Sequence, residues 1–186
     1  MKNTWYDIWQ RKALTESKDL YTINGYENTV FSPKSAVESI SENLLIGPSD
    51  NILEVGCGSG LLAQYFNIEY VGIDYSKNMI EKAKSVIDKN FYVSEANKIP
   101  FPDNYFDHVF AQGVFHYFPD MDYANQVISE MSRVARKSIF IGDLPVISHD
   151  ENHLLFKKSM FTEWAISPGF YNESRFNASR RLEDNE

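Results

Sequence analysis

The chain has 186 residues, a formal net charge of −8, one cysteine and an aromatic content of 15%. This length suits one domain with a sizeable core, and the acidic balance argues against a nucleic-acid backbone or an anionic membrane as the main partner. One cysteine excludes a disulfide framework and a cysteine-based metal cluster, and because no stretch resembles a signal core or a membrane span, we expect a cytoplasmic protein.

The first 32 residues are rich in aromatic side chains, and we interpret them as a lid or arm on a core at residues 33–186. Residues 5–12 fit an amphipathic helix, with apolar side chains at helical spacing. Residues 20–31 carry further aromatic side chains around the turn signal Asn24-Gly25. The same segment could equally serve as apolar cover for the edge of a sheet.

The core alternates apolar runs with amphipathic segments of helical period. The predicted helices, each opened by a capping residue, cover residues 33–45, 76–87 and 120–137. The predicted strands cover residues 52–55, 70–74, 91–94, 106–112 and 138–143. This alternation predicts an α/β fold, a doubly wound Rossmann-like and mostly parallel sheet with helices on both faces.

The most informative stretch is Asn51–Gly60, a buried strand followed by glycines at alternate positions. Gly56, Gly58 and Gly60 allow positive φ and a close approach of a ligand to the backbone. We expect the following helix start to offer unpaired N–H groups to an anionic ligand group. The glycine spacing does not fit G-x-G-x-x-G, the fingerprint of nicotinamide dinucleotide binding. Asp74 follows Gly60 by only 14 residues (74 − 60), whereas the acidic residue of that pattern follows after roughly 20. A P-loop and a Gly-x-Ser-x-Gly hydrolase motif are excluded as well.

Residues after the second and third strands suit a nucleotide, because ligands of such sheets lie outside the carboxyl ends of the strands. Asp74 is placed to accept hydrogen bonds from a ribose diol. Tyr75 and Met79 offer a ring and a thioether for packing on an adenine face. Glu95 can accept from the exocyclic amine of adenine, and the Ala96 N–H can donate to a ring nitrogen.

Three further residues of the same crevice complete the predicted ligand-contacting set. Glu54 lies inside an apolar strand and needs a partner, which a ligand ammonium or the N–H groups of the glycine turn would supply. Cys57 lies within the turn, and Gln112 ends the fourth strand.

These motifs together resemble those of the class I S-adenosylmethionine-dependent methyltransferases, over most of the chain. Residues 52–60 resemble their methionine-binding loop, and residues 71–76 resemble their ribose and adenine segment. Residues 94–107 are similar to the small-molecule ("type 11") branch, in which an aspartate usually stands where this chain has Glu95. The resemblance implies S-adenosylmethionine as the cofactor, S-adenosylhomocysteine as its product, and a small-molecule acceptor methylated at a hydroxyl or an amine. A sugar or a planar metabolite would suit the aromatic N-terminal segment.

Transfer to a hydroxyl is helped by a base, and His116, just past the fourth strand, is the first candidate. Asp143, at the end of the fifth strand, is its orienter or its alternate. His149 and His153 come next, on a segment that we expect to border the site. His116 could instead simply pack among its aromatic neighbours. No metal is expected, because no cluster has recognisable ligand spacing.

The C-terminus departs from the family, which adds a helix and two more strands after the fifth. We expect a helix within residues 154–164 and one weak strand within residues 174–182, so the C-terminal strands look incomplete. The chain would then be truncated or would leave an open sheet edge, and an open apolar edge favours a homodimer. The same incompleteness supports an alternative function, a non-catalytic binding or partner subunit with a methyltransferase-like fold.

Overall fold

The structure, a computed structural model, describes residues 5–17, 19–27, 29–147, 150 and 152–182. Seven strands form its sheet: β1 Asn51–Val55, β2 Glu69–Asp74, β3 Asn90–Val93, β4 Phe106–Gln112, β5 Ala135–Pro145, β6 Ala165–Pro168 and β7 Arg175–Arg181. The strand order is β3-β2-β1-β4-β5-β7-β6. The first five strands are mutually parallel, whereas β7 runs antiparallel to β5 and β6 antiparallel to β7.

Helices cover both faces of this sheet, as the sequence predicted. They are α1 Trp5–Ala13, α2 Leu20–Ile23, α3 Pro33–Leu44, α4 Lys77–Val86 and α5 Met121–Val134. Successive strand residues enter opposite cores: Val109 packs with the α5 side and Phe110 with the α3 and α4 side. In the described part of the chain, no helix is long and apolar enough to cross a membrane.

Side-chain caps fix where the long helices begin. The hydroxyl of Ser32 accepts from the Ser35 N–H ahead of Pro33, and Ser76 and Asp120 cap α4 and α5 in the same way. The predicted end of α5 near residues 136–137 is wrong. The helix ends at Val134, because the chain from residue 135 onward already pairs with β4.

The two cationic side chains after α5, Arg136 and Lys137, form ion pairs with carboxylates instead of interacting with the helix dipole. Arg136 donates to Asp107 at 2.7 Å, and Lys137 donates to Asp50 at 2.5 Å. Asp50 also contacts the buried His108 at 2.9 Å, so this network ties the loop before β1 to β4 and β5.

The prediction of incomplete C-terminal strands is wrong. The second antiparallel strand precedes β7 instead of following it, and β6 was missed because it has four mostly exposed residues and ends at Pro168. The predicted helix at residues 154–164 is also wrong. The Leu154 N–H donates to the His116 carbonyl and the Phe156 N–H to the Pro145 carbonyl, and the rest of the segment forms a 3-10 turn, Lys158–Met160, instead of an α-helix. Because β7 covers β5, the open-edge argument for a homodimer no longer holds.

The N-terminal segment lies against the core and next to the carboxyl ends of the strands. The side-chain oxygen of Gln10 accepts from the Ser76 hydroxyl and the Asn78 N–H, each at 3.0 Å. The ammonium of Lys82 donates to the Thr15 carbonyl at 2.8 Å. Helix α1 therefore rests on the start of α4.

Candidate active site

A cavity of about 700 Å³ opens at the carboxyl ends of β1, β2, β4 and β5, under the N-terminal segment. Most of the residues singled out from the sequence line it: Glu54, Gly56, Cys57, Gly58, Asp74, Tyr75, Met79, Glu95, Ala96, Gln112, His116, Asp143 and His153. Gly60 is not among its lining residues; it has a φ of 82° and packs against Phe91. His149 lies outside the described residues.

The N–H groups of the glycine turn, residues 56–60, are all taken by acceptors within the protein. The N–H groups of Gly56 and Cys57 both donate to the Ile73 carbonyl, and Gly60 donates to the Cys57 carbonyl. The other two N–H groups donate to side chains beyond the turn. A short 3-10 helix, Leu62–Tyr65, follows in place of an α-helix. The turn therefore allows a ligand to approach its backbone closely, but its N–H groups are not available to donate to that ligand.

Two glycines of this turn have no room for a side chain. Gly56 has a φ of 74°, and a Cβ there would lie 2.4 Å from Val114. Gly58 has a φ of 52°, and a Cβ there would lie 2.2 Å from Asn24 Oδ1. Positive φ favours glycine at both positions, and a side chain at either would force Val114 or Asn24 to move.

The Asp74 carboxylate is buried and held by backbone N–H groups on both sides. Its Oδ2 accepts from Gly58 at 3.0 Å and its Oδ1 accepts from Ser76 at 2.8 Å. Burial raises the pKa of Asp74 to about 6, with the charge of Glu95 acting in the same direction and the two N–H groups opposing it. Each oxygen accepts one hydrogen bond from the described residues, so each retains acceptor capacity for one hydroxyl of a diol.

Glu54 has a protein partner, contrary to expectation. The hydroxyl of Tyr70 donates to its Oε2 in a short hydrogen bond, so the predicted ammonium or turn N–H is not needed to satisfy it. Burial raises the pKa of Glu54 to about 8, although the Tyr70 hydrogen bond lowers it. Burial also raises the pKa of the neighbouring Cys57 thiol. This part of the wall is therefore largely uncharged at neutral pH.

The predicted adenine end is flanked by aromatic side chains. Tyr6 of α1 meets Tyr75 edge-on, with ring centroids 5.2 Å apart. The hydroxyl of Tyr123 donates to Glu95 Oε2 at 3.0 Å, which orients the carboxylate. Met79 is almost fully buried and belongs to both the cavity wall and the core.

Of the two roles predicted for Asp143, orienter of His116 or alternate base, the first has no hydrogen bond between the two side chains to support it. The Asp143 carboxylate accepts from the Gln112 side chain and from the N–H groups of Phe170 and Tyr171. Burial raises the pKa of Asp143, and these N–H groups oppose the rise. His116 is buried at the wall and packs against Tyr117, with ring centroids 4.0 Å apart and ring planes tilted by 44°.

Sequence reasoning missed two side chains of this site. Arg175 donates to the Asp143 carbonyl at 3.0 Å and reaches His116 Nδ1 at 3.5 Å, so it holds the position predicted for the carboxylate. Asn24 of the N-terminal segment contacts the glycine turn. The Asn24-Gly25 dipeptide indicated a turn, but it did not indicate which residues the Asn24 side chain would contact. Arg175 could not be assigned to the site from sequence, because β7 has too weak an apolar alternation to show which side chains face the cavity.

The fold and the site together define a class of protein. A parallel sheet completed by an antiparallel β7 and β6, with a glycine turn after β1 and a buried carboxylate after β2, has the form of an S-adenosylmethionine-dependent methyltransferase. Residues 53–141 match the family model described as "Methyltransferase domain". The matched region and the curated relatives described below support a class I S-adenosylmethionine-dependent methyltransferase.

Several curated proteins are similar to this chain. The probable methyltransferase ltbC of Aspergillus luteorubrus is 29% identical over 134 residues, covering 60% of this chain and 47% of that protein. The 27-O-demethylrifamycin SV methyltransferase of Amycolatopsis mediterranei is 30% identical over 111 residues, covering 53% and 40%. The chain thus spans about half the length of the curated relatives it matches.

Solved structures share the fold at low sequence identity. Magnesium protoporphyrin IX methyltransferase (ChlM) from Synechocystis, solved with bound SAM, has a TM-score of 0.63 and 16% identity, over 96% of this chain and 91% of that one. A SAM-dependent methyltransferase from Methanosarcina mazei has a TM-score of 0.64 and 18% identity, over 78% and 98%. The cofactor of the family is S-adenosylmethionine, and the residues present fit it, since Asp74 keeps acceptor capacity beside a turn that admits no side chain at Gly58.

Proposed function

We propose that this protein transfers a methyl group from S-adenosylmethionine to a hydroxyl or an amine of a small molecule. The observation that carries the proposal is one continuous cavity of about 700 Å³. At one end lie Asp74 and the glycine turn, and at the other lie His116 and Arg175. A donor and an acceptor can therefore meet in one enclosed space.

Within this cavity, the chain binds and orients the two reactants. Bound S-adenosylmethionine would supply an activated methyl group on a sulfonium. Asp74 would hold the ribose diol, and Glu95 with the Ala96 N–H would hold the adenine edge. Alignment of the acceptor with the methyl group accounts for much of the rate in such a substitution. His116 would take the proton of a hydroxyl acceptor at a ring nitrogen.

The walls of the acceptor end favour a small planar or sugar-like molecule. Trp5 and Tyr117 lie with ring centroids 4.7 Å apart, and Trp5 stacks on His153 at 5.2 Å. Helix α1, which carries Trp5, covers this end, so a polymer would need the helix to move. The name of the relative that methylates 27-O-demethylrifamycin SV describes a small-molecule acceptor for that protein, which supports the same class here.

The non-catalytic alternative was motivated by the apparently incomplete C-terminus. Both antiparallel strands are present, and β7 supplies Arg175 to the cavity. The reason for considering a non-catalytic subunit therefore no longer applies, and we retain methyl transfer as the proposal.

The test is an acceptor screen with methyl-labelled S-adenosylmethionine. Purified protein would be incubated with pools of phenols, amines, sugars and carboxylic acids, and formation of S-adenosylhomocysteine would be followed together with label in the acceptor. We expect turnover with at least one pool and none with the Asp74→Ala variant. Donor binding without turnover on any pool would contradict methyl transfer to a small molecule.

A further inference from the structure

We propose that Arg175 selects acceptors that carry a carboxylate or a phosphate group, which its guanidinium binds beside the reacting atom. This inference rests on the proposed function and narrows its acceptor class. It depends on three features of Arg175: its missing counter-ion, its free donor groups and its distance from the donor end of the cavity.

Arg175 is the one lysine or arginine among the described residues that line the cavity. It is half-buried, and in the described part of the chain no carboxylate lies within ion-pair distance of its guanidinium. A cation that is withdrawn from water without a counter-ion is costly. An anionic group on a ligand would remove that cost.

Asp143 lies close to Arg175 but does not pair with it. The guanidinium donates to the backbone carbonyl of Asp143, at 3.0 Å, rather than to its carboxylate. The carboxylate oxygens accept instead from Gln112, Phe170 and Tyr171. Burial raises the pKa of Asp143 and the charge of Arg175 acts to lower it, but the two side chains share no hydrogen bond, and the guanidinium keeps N–H groups for a ligand.

The free donors of Arg175 have the geometry that an oxyanion needs. Toward the part of the chain that the structure describes, hydrogen bonds come from Nη1 alone, to the Asp143 carbonyl and toward His116 Nδ1. Its Nε and Nη2 make none to the described residues and can form a fork on a carboxylate or a phosphate. The ring of Tyr171, 5.0 Å from the guanidinium carbon, supports this group from one side.

The position of β7 assigns this anion to the acceptor rather than to the donor. In the order β1-β4-β5-β7, the backbone of β7 lies three strands from β1, or roughly 14 Å at the usual strand spacing, and the guanidinium of Arg175 extends from it as far as His116 after β4. The ribose and adenine contacts, Asp74 and Glu95, lie on the opposite side of β1, after β2 and β3. His116, the candidate base, lies beside Arg175 at this end, with its Nδ1 3.5 Å from Nη1.

Matched pairs of probes test this assignment on protein saturated with S-adenosylhomocysteine. Benzoate and benzamide form one pair, and phenyl phosphate and phenol form the other; binding would be measured by NMR titration. Wild type and Arg175→Gln would be compared. Arg180→Gln is the matched control, because Arg180 lies on the same strand but stacks on Trp164 and bonds to Ser132, outside the cavity.

We expect wild type and Arg180→Gln to prefer at least one anion over its neutral partner by about tenfold or more, and Arg175→Gln to lose that preference. Equal binding of charged and neutral probes by wild type, or binding of none, would overturn the inference, as would a preference that persists in Arg175→Gln. A loss of S-adenosylhomocysteine affinity in Arg175→Gln would also overturn it, since Arg175 would then serve the donor. Failure of the wild type to bind S-adenosylhomocysteine, with the anion preference intact in its absence, would contradict the proposed function alone.

Discussion

The side-chain amide of Asn24 forms two hydrogen bonds with Ser59 of the glycine turn. Its Nδ2 donates to the Ser59 hydroxyl at 2.5 Å, and its Oδ1 accepts from the Ser59 N–H at 3.2 Å. Nδ2 also donates to the Leu20 carbonyl, which fixes the amide to the end of α2. The N-terminal segment is therefore attached to the very turn that approaches the donor, and loosening one should loosen the other.

Asn24→Ala tests this attachment. The variant removes both bonds to Ser59, and we expect faster amide hydrogen exchange in residues 20–27 with little change in the sheet. Net losses of about 1 kcal/mol per hydrogen bond predict a weakening of S-adenosylhomocysteine binding by roughly three- to tenfold. Asn43→Ala is the control, because Asn43 bonds only within α3, to Ser39. Unchanged exchange in residues 20–27 would show that the segment is held by other contacts.

His116→Ala tests the candidate base. We expect turnover of a hydroxyl acceptor to fall by about tenfold or more, because a positioned base contributes at least that much. Donor affinity should hardly change, since His116 lies at the Arg175 end of the cavity. Single-turnover kinetics and calorimetry would separate the two quantities. Wild-type turnover in this variant would remove His116 from the mechanism and leave it a packing role.

Glu54→Gln tests the raised pKa of Glu54, about 8 against a reference value of 4.5. Between these values, the folded protein keeps the proton and the unfolded chain has lost it, so stability falls as the pH rises. Glutamine keeps an acceptor for Tyr70 but cannot ionise, so we expect the variant to gain on the order of a few kcal/mol over wild type at about pH 8 and little at about pH 4.

Urea unfolding across this pH range measures that difference, with Glu69→Gln at the exposed start of β2 as the control. Asp74, with a pKa of about 6, also makes the free energy of unfolding fall as the pH rises toward 6. This smaller fall, which ends at about pH 6, should therefore remain in Glu54→Gln. Parallel pH profiles for Glu54→Gln and wild type would contradict the assignment.

Local signals made the parallel core predictable. Apolar runs such as residues 52–55 are buried on both faces, and capping residues such as Ser76 mark helix starts by their own hydrogen bonds. The rule that ligands lie at the carboxyl ends of parallel strands brought Asp74 and His116 to one cavity without any long-range information. These features depend on short segments of sequence.

Several of the failures involve contacts that no local pattern marks. Strand β6 forms on β7 although its own residues are mostly exposed, so no apolar pattern marks it. The partner of Glu54 is Tyr70 on the adjacent strand, and the turn N–H of Ser59 is taken by Asn24 from the N-terminal segment. Pairings over such separations follow from the assembled sheet, and local spacing does not determine them.

The central claim is that this cavity binds S-adenosylmethionine through Asp74. Isothermal titration of S-adenosylmethionine and S-adenosylhomocysteine, with NAD as the unrelated nucleotide, tests it most directly. Asp88→Asn, at an exposed position, serves as the control for Asp74→Ala. We expect micromolar binding of both sulfur compounds by wild type and Asp88→Asn and no binding of NAD. In Asp74→Ala, the affinity for the sulfur compounds should fall by about tenfold or more. Absence of binding to either sulfur compound, or equal affinity in Asp74→Ala, would contradict it.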